Sequence, residues 1–117
     1  MTTANHPPGA HPFVALEVSL QTIRALRGAV SRVRRHDAKL AQQIVASASS
    51  VAANIAEGRR RRGADRLHFY RIAAGSADET RTHLQVAVAW GWLADEDVQG
   101  ALALIDRQLR LIWGLTR

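Results

Sequence analysis

The sequence predicts an all-α protein folded as a single antiparallel up-down-up-down four-helix bundle. All three prolines lie within the first twelve residues, and proline is the strongest helix breaker. From residue 13 onward, apolar residues recur at steps of three and four, as in helices that bury one face. A chain of 117 residues suits one domain. We therefore expect residues 1–12 to form a flexible N-terminal arm and residues 13–117 to form the bundle.

The first two helices are predicted from their apolar stripes. The first should run from about residue 13 to residue 35, and its stripe consists of Leu16, Leu20, Ile23, Leu26, Val30 and Val33. Asp37 is a suitable N-cap for the second helix, whose stripe consists of Leu40, Ile44, Ala48, Val51 and Ile55. Gly58 is expected to end this helix, since glycine is favoured just past a helix end. Residues 58–63 would then be a loop of four arginines between two glycines.

The third and fourth helices follow from the same period. The third is expected from about residue 64 to residue 92, with Leu67, Tyr70, Ala74, Ala77, Leu84 and Val88 on its buried face. Asp95 can cap the last helix, whose stripe consists of Val98, Leu102, Ile105, Leu109 and Ile112. Short connections between long helices favour the up-down-up-down arrangement.

Two helices carry more apolar residues than one buried stripe requires. The last helix adds Leu104, Leu111 and Leu115, and the end of the third is apolar almost all round. Because a monomeric bundle needs only one apolar stripe per helix, the surplus predicts a homo-oligomer. In the alternative interpretation, Trp90, Trp92 and Trp113 together close one end of the bundle core.

Positive charge is concentrated in two segments. Sixteen Lys and Arg residues against ten Asp and Glu residues give a net charge of +6. Residues 24–36 contain five arginines and no acid, and residues 59–71 contain six arginines and one acid, so each segment carries +5. In an antiparallel bundle, the end of the first helix and the connection between the second and third helices lie at opposite ends. The two segments should therefore not form one patch within a subunit.

The arginines indicate contact with the backbone of RNA or DNA. Their guanidinium groups match phosphate geometry, and clustered cations gain affinity by releasing counterions. The candidate residues are Arg59, Arg60, Arg61, Arg62, Arg66, Arg24, Arg27 and Arg35. The other interpretation is a solvated loop in a protein from an arginine-preferring genome, since Lys39 is the only lysine. No aromatic residue interleaves with the arginine runs, and no base-reading motif is recognisable, so any binding should be to backbone or shape.

The sequence offers no assembled catalytic or metal site. The chain has no cysteine, which excludes thiolate chemistry. Asp65 with His68 and Glu79 with His83 only approach a di-metal motif, and both pairs lie on the third helix. The two histidines are separated by about 22 Å along that helix. We therefore expect a non-enzymatic protein with no metal and no cofactor.

The apolar segments are too short for a membrane helix, which needs about 20 residues. The N-terminus also lacks the basic start and apolar stretch of a secretory signal. We therefore expect a cytoplasmic protein with no membrane contact. A second function fits the same charges, since a basic surface could bind an acidic protein. The chain would then be a protein–protein interaction scaffold with no nucleic-acid role.

Two segments, residues 45–58 and 72–84, carry a resemblance to a known family. The first matches the pattern Ser-x-x-x-Asn-Ile-Ala-Glu-Gly through Ser50, Asn54, Ile55, Ala56, Glu57 and Gly58; the second matches Gly-Ser-x-x-Glu through Gly75, Ser76 and Glu79. The chain resembles, over about residues 13–115, the bacterial four-helix-bundle proteins encoded in intervening sequences of 23S ribosomal RNA genes. That family includes the accessory variability determinant of diversity-generating retroelements.

The resemblance implies an antiparallel bundle assembled as a ring-like homopentamer. In the retroelement members, a basic surface contacts nucleic acid and the reverse transcriptase. Ala74 stands where the family usually has an arginine, and the proline common before the first segment is absent. Asn54, Glu57, Gly58, Gly75, Ser76 and Glu79 are expected to have structural roles. From their chemistry, Asn54 and Glu57 should make hydrogen bonds or an ion pair at a junction, and Gly75 should lie at a close helix crossing.

Overall fold

The computed structural model describes residues 11–117 and confirms the all-α prediction. It contains four helices, α1 (Pro12–Arg34), α2 (Ala38–Arg59), α3 (Gly63–Ala89) and α4 (Asp95–Leu115). Each helix packs on the next along the chain, and α4 packs on α1, so the four form a closed antiparallel bundle. The bundle measures 50 × 23 × 18 Å, and the described part of the chain has no β-strand.

The starts of α1 and α2 follow from local capping. Pro12 occupies the first turn of α1, where its missing N–H would be unbonded in any case. Most of the predicted N-terminal arm, residues 1–10, lies outside the described residues. Asp37 caps α2 as predicted, because its Oδ1 accepts a hydrogen bond from the Leu40 amide at 3.0 Å.

The prediction that Gly58 ends α2 is wrong. The helix continues through a buried Gly58 to Arg59, and the glycine with positive φ is Gly63, at 57°, where α3 begins. Gly58 serves a packing contact instead. A Cβ built on it would lie 2.6 Å from Cε1 of Tyr70, so only glycine lets the aromatic ring pack this closely on α2.

The turn between α3 and α4 also differs from expectation. Helix α3 ends at Ala89, and Gly91 adopts a φ of 79°. Asp95 is the first residue of α4 and not its N-cap, which is Ala94, and Asp97 Oδ2 accepts a hydrogen bond from the Ala94 amide at 2.8 Å. This is the reach of an acid from the third helical position back to the residue before the helix.

A polar seam, formed by Ser47, Ser50, Ser76 and Thr80, joins α2 to α3. The hydroxyls of Ser47 and Thr80 are 2.7 Å apart, and those of Ser50 and Ser76 are 2.9 Å apart. Thr80 donates its own proton to the Ser76 carbonyl at 2.8 Å. Because these side chains are small and bond to each other, α2 and α3 pack closely without an unsatisfied hydroxyl at the seam.

Two of the three additional leucines of α4 belong to the core of the single subunit. Leu115 is buried, and Leu111 packs against the core. The alternative in which three tryptophans close one end is wrong, because α3 and α4 are antiparallel and place Trp90 and Trp113 at opposite ends. Both are exposed, by 68% and 48% respectively.

Gly75 does not lie at a close helix crossing within the subunit. The residue is exposed, and a Cβ built on it would have no neighbour within 4 Å. The expectation of a close crossing at this position is therefore wrong for the single chain, because the faces of α3 that pack on α2 and α4 lie elsewhere.

Candidate nucleic-acid interface

Four helix termini meet at one end of the bundle. The guanidinium carbon of Arg59, at the end of α2, lies 4.5 Å from the ring centroid of Phe13 in the first turn of α1. Gly63, at the start of α3, and Leu115, at the end of α4, line one cavity. We call this region the basic end, after its arginines Arg59, Arg60, Arg61, Arg62, Arg66, Arg110 and Arg117.

Arg61 organises the connection between α2 and α3. Its Nε donates to Glu57 Oε2 at 2.8 Å, and its Nη1 donates to Asp65 Oδ2 at 3.2 Å. Its guanidinium carbon also lies 5.0 Å from the centroid of the Phe69 ring. The hydrogen bond from Arg61 lowers the pKa of Glu57, and the same bond raises the pKa of Arg61. Arg61 is therefore held by two carboxylates and an aromatic ring.

Arg66 links α3 to α2 through the backbone. Its Nε donates to the Gly58 carbonyl at 3.2 Å, and its Nη2 donates to the Arg59 carbonyl at 3.3 Å. These carbonyls belong to the last turn of α2, where a cation also interacts favourably with the helix dipole. Arg66 thus has a structural role in addition to the phosphate contact predicted for it.

Arg60 and Arg62 are the more solvent-accessible cations of the connection. Arg60 is 3.6 Å from Glu57 Oε1, but its side chain remains 72% exposed. Arg62 is an exposed residue at the N-cap of α3 and makes no side-chain cap hydrogen bond. Both side chains are therefore accessible to a ligand that approaches the end of the bundle.

The other predicted arginines lie away from the basic end. Arg24 is 3.7 Å from Glu17, and both side chains are largely exposed. Arg27 lines an apolar cavity between α1 and α2, and Arg35 follows α1 at the opposite end of the bundle. The structure therefore separates the eight predicted arginines into two groups, as the antiparallel topology required.

The fold brings to the basic end two arginines that were not among the candidates predicted from the sequence. Arg110 and Arg117 come from the end of α4, about 50 residues from the arginine run. No aromatic residue interleaves with the arginine run along the sequence, but the fold places Phe13 and Phe69 against Arg59 and Arg61. The antiparallel order of the predicted helices was the signal that could have placed the start of α1 and the end of α4 here.

Three of the signature residues, Asn54, Ser76 and Glu79, make side-chain contacts within or between helices. Asn54 Nδ2 donates to the Ser50 carbonyl at 2.8 Å and to Ser50 Oγ at 3.0 Å, which extends the polar seam toward the basic end. Ser50 in turn bonds to Ser76. Glu79 Oε2 lies 3.2 Å from His83 Nε2 on the exposed side of α3.

The opposite end of the bundle carries a stack of aromatic rings and balanced charge. The Trp92 ring stacks on His36 and on Trp90, with centroid separations of 5.7 Å in both cases. The cations near this end are Arg32, Arg34, Arg35 and Lys39, and the acids are Asp37, Asp95, Glu96 and Asp97. Arg32 and Asp97 form an ion pair at 3.1 Å. The four cations and four acids at this end sum to a net charge of zero, whereas the basic end has a net positive charge.

Residues 11–117 contain neither a cluster of metal ligands nor a membrane-spanning helix. Among these residues, no group of three or more His, Cys, Asp or Glu side chains is placed to hold a metal ion. The helices in the same range include none with the length and hydrophobicity needed to span a bilayer.

The fold and this cluster of arginines define a small helical-bundle protein with one basic end. The chain belongs to the 23S rRNA-intervening sequence protein family, whose model matches residues 15–114, so the predicted family is confirmed. A solved structure similar to it is a protein of unknown function from the S23 ribosomal protein family of Bacteroides thetaiotaomicron. The two share 20% identity with a TM-score of 0.76, over 88% of this chain and 98% of the other. At this identity the likeness shows a shared fold. Curated proteins include none with significant similarity to the chain.

Proposed function

We propose that the protein is a non-enzymatic, homo-oligomeric accessory factor that binds the backbone of RNA or DNA through its basic end. The observation that carries the proposal is the convergence of arginines from α2, α3 and α4 at that end. Arginine forks bind phosphate oxygens in pairs, and each phosphate contact releases condensed counterions.

The charge balance favours the basic end over the rest of the surface. Residues 57–66 contain five arginines and two acids, a net charge of +3, and Arg110 and Arg117 add to it from α4. The opposite end is nearly neutral. Trp113 is 48% exposed near the end of α4, so the basic end also offers an aromatic ring on which an unpaired base can stack.

An exposed apolar groove supports the homo-oligomeric part of the proposal. Between α1 and α2 lies a cavity of about 270 Å³, lined mainly by Ile23, Leu26, Val30, Ile44, Val45 and Ala48. Val45 itself is 44% exposed. Apolar surface of this kind is typical of contacts between proteins. The family resemblance suggests a ring-like homopentamer, in which several basic ends would act on one nucleic acid and raise its affinity through multivalency.

Fluorescence anisotropy of labelled RNA and DNA oligonucleotides over a salt series tests the nucleic-acid proposal. The variant changes Arg59, Arg60 and Arg62 to glutamine and keeps Arg61, which holds the connection. The matched control changes Arg34, Arg35 and Lys39 to glutamine, which removes the same charge from the opposite end. We expect the slope of log K against log salt to fall by about 2 in the variant and to stay near the wild-type value in the control.

Absence of binding at low salt, or equal slopes in the two variants, would contradict the nucleic-acid proposal. The competing function is a protein–protein interaction scaffold, which the apolar groove and the exposed Trp90 favour. That function predicts no salt-dependent binding to either oligonucleotide. It also predicts that the arginine variant and its control behave alike.

A further inference from the structure

The basic end contains a cavity between the start of α3 and the end of α4. Its volume is about 360 Å³, and its lining includes Gly63, Arg66 and Tyr70 from α3 with Gly114 and Arg117 from the end of α4. Two of these residues are arginines, and two are glycines that leave the backbone accessible. The cavity is therefore distinct from the apolar groove between α1 and α2, which has one arginine at its edge.

The hydroxyl of Tyr70 is an unpaired polar group at this cavity. Tyr70 is 1% exposed, and its hydroxyl oxygen is buried with no hydrogen-bond partner among the described residues. A buried hydroxyl without a partner is destabilising, and most such groups in folded proteins have a partner, an ordered water or an ion. The unpaired hydroxyl thus marks a position where an acceptor is missing.

Positive potential surrounds that hydroxyl. Burial raises the pKa of Tyr70, and the nearby charges of Arg66 and Arg59 act in the opposite direction. Arg66 uses Nε and Nη2 for the carbonyls at the end of α2, and these bonds leave its Nη1 for another acceptor. Helix α3 begins here, and no side chain caps its N-terminus. Uncapped amides at a helix start favour an anion.

We propose that this cavity binds one oxyanion of the phosphate class. Its donors would be the Tyr70 hydroxyl, the side chains of Arg66 and Arg117, and the first amides of α3. The identity of the natural ligand rests on the proposed function, under which the anion is a phosphate group of the bound nucleic acid. Because the Tyr70 hydroxyl oxygen is buried, neighbouring side chains must shift for the anion to reach it.

The test is an NMR titration of the ¹⁵N-labelled protein with inorganic phosphate, against sodium chloride at equal ionic strength. The amide signals of Gly63 and Gly114 should shift saturably with phosphate alone. Arg117→Gln should weaken binding about tenfold, as expected for the loss of a charged hydrogen-bond donor. The matched control is Arg60→Gln, which removes one charge from the same end without touching the cavity. It should change the affinity by about twofold or less, as for a screened surface charge.

A second variant, Tyr70→Phe, isolates the hydroxyl. It keeps the ring that packs on Gly58 and removes only the unpaired group, so the melting temperature of the phosphate-free protein should rise. Phosphate binding should weaken about tenfold in the same variant. Unchanged phosphate affinity in Tyr70→Phe would overturn the proposal, as would phosphate-induced shifts that avoid Gly63 and Gly114.

The failure of this proposal is distinguishable from the failure of the proposed function. RNA or DNA binding without phosphate-induced shifts at the cavity would overturn the cavity proposal and leave the nucleic-acid function standing. Phosphate binding at the cavity without any oligonucleotide binding would support the cavity and contradict the nucleic-acid function.

Discussion

The ring of Tyr70 fills the space in which a side chain at Gly58 would lie. A Cβ on Gly58 would come within 2.6 Å of Cε1 and 2.8 Å of Cδ1 of that ring, and within 3.3 Å of Cβ of Phe69. Since Tyr70 is 1% exposed and its ring is rigid, it has little room to move. This contact fixes how closely α3 approaches the last turn of α2, where the arginines of the basic end begin.

Gly58→Ala should therefore destabilise the protein, although alanine is the better helix former. Overpacking of this kind reduces stability by about 1–3 kcal/mol, whereas the gain in helix propensity is about 1 kcal/mol. We expect a net decrease of about 1 kcal/mol or more in the free energy of unfolding, measured by urea denaturation. The control is Gly75→Ala, which has open space around its Cβ and should raise stability by up to about 1 kcal/mol. Equal stability of the wild type and Gly58→Ala would contradict the packing role.

The helices and one cap were predictable because they depend on local sequence. The period of three and four residues places the buried stripes, and Asp37 caps α2 through an amide three residues away. The prediction that Asp95 caps α4 was wrong, because the helix begins at Asp95 itself and Ala94 is the N-cap. Three consecutive acids all suit the start of a helix, and only the backbone geometry decides where the first turn begins.

The roles of the glycines and the composition of the basic end depend on tertiary structure. A glycine that ends a helix and one that admits an aromatic ring are indistinguishable along the chain, so Gly58 was assigned the wrong role. The predicted antiparallel order already places Arg117 at the end of the bundle where α3 starts, but the cavity that Arg117 shares with Gly63 and Tyr70 depends on packing. The unpaired hydroxyl of Tyr70 is likewise a property of packing, since the sequence predicted only that this residue is buried.

The Ser47–Thr80 pair should show energetic coupling across the polar seam. Thr80 donates its proton to the Ser76 carbonyl. The single hydroxyl proton of Ser47 then has two acceptors, Thr80 Oγ1 at 2.7 Å and the Ile44 carbonyl at 3.3 Å, and the shorter contact joins the two helices. A double-mutant cycle of Ser47→Ala and Thr80→Val should give a coupling energy of about 0.5–1.5 kcal/mol. Urea denaturation of the four proteins measures it. Strictly additive changes would mean that the two hydroxyls do not stabilise each other.

The pairing of Glu57 with Arg61 should make the α2–α3 connection sensitive to acid. The hydrogen bond from Arg61 holds the pKa of Glu57 below its ordinary value of 4.5 in the folded protein. The stabilisation is therefore present above the ordinary carboxyl pKa, and it is lost as the pH falls through the lowered value. Carboxyl ¹³C NMR should detect a Glu57 titration midpoint below 4.5.

Arg61→Gln should raise that midpoint toward the ordinary value. In this variant the burial of Glu57 raises its pKa more than the coulombic effect of Arg60 lowers it, so the midpoint should return to the ordinary value or rise slightly above it. The control is Arg32→Gln, which breaks an ion pair at the opposite end and should leave the Glu57 titration unchanged. An unshifted midpoint in Arg61→Gln would show that this hydrogen bond does not govern the carboxyl.

A lysine at Val45 should separate the proposed oligomer into single chains of 12.8 kDa. Val45 is 44% exposed, so the monomer can hydrate the new charge, whereas an interface over the groove would bury it without a partner. Arg27 lines the same groove. An acid introduced at position 45 could pair with Arg27, whereas a lysine could not, so lysine is the better test. Breaking an interface in this way costs about 3–5 kcal/mol per buried unpaired charge.

Sedimentation equilibrium at micromolar concentrations measures the effect, with circular dichroism to verify that the helices are intact. The matched control is Gln43→Lys, which adds the same charge to an exposed position about 200° round α2 from Val45. We expect the wild type and Gln43→Lys to sediment as the same oligomer and Val45→Lys to sediment as a monomer. A monomeric wild type would contradict the homo-oligomer itself. If Val45→Lys still assembles, the interface does not cover the groove, because burying an unpaired lysine there would destabilise the oligomer.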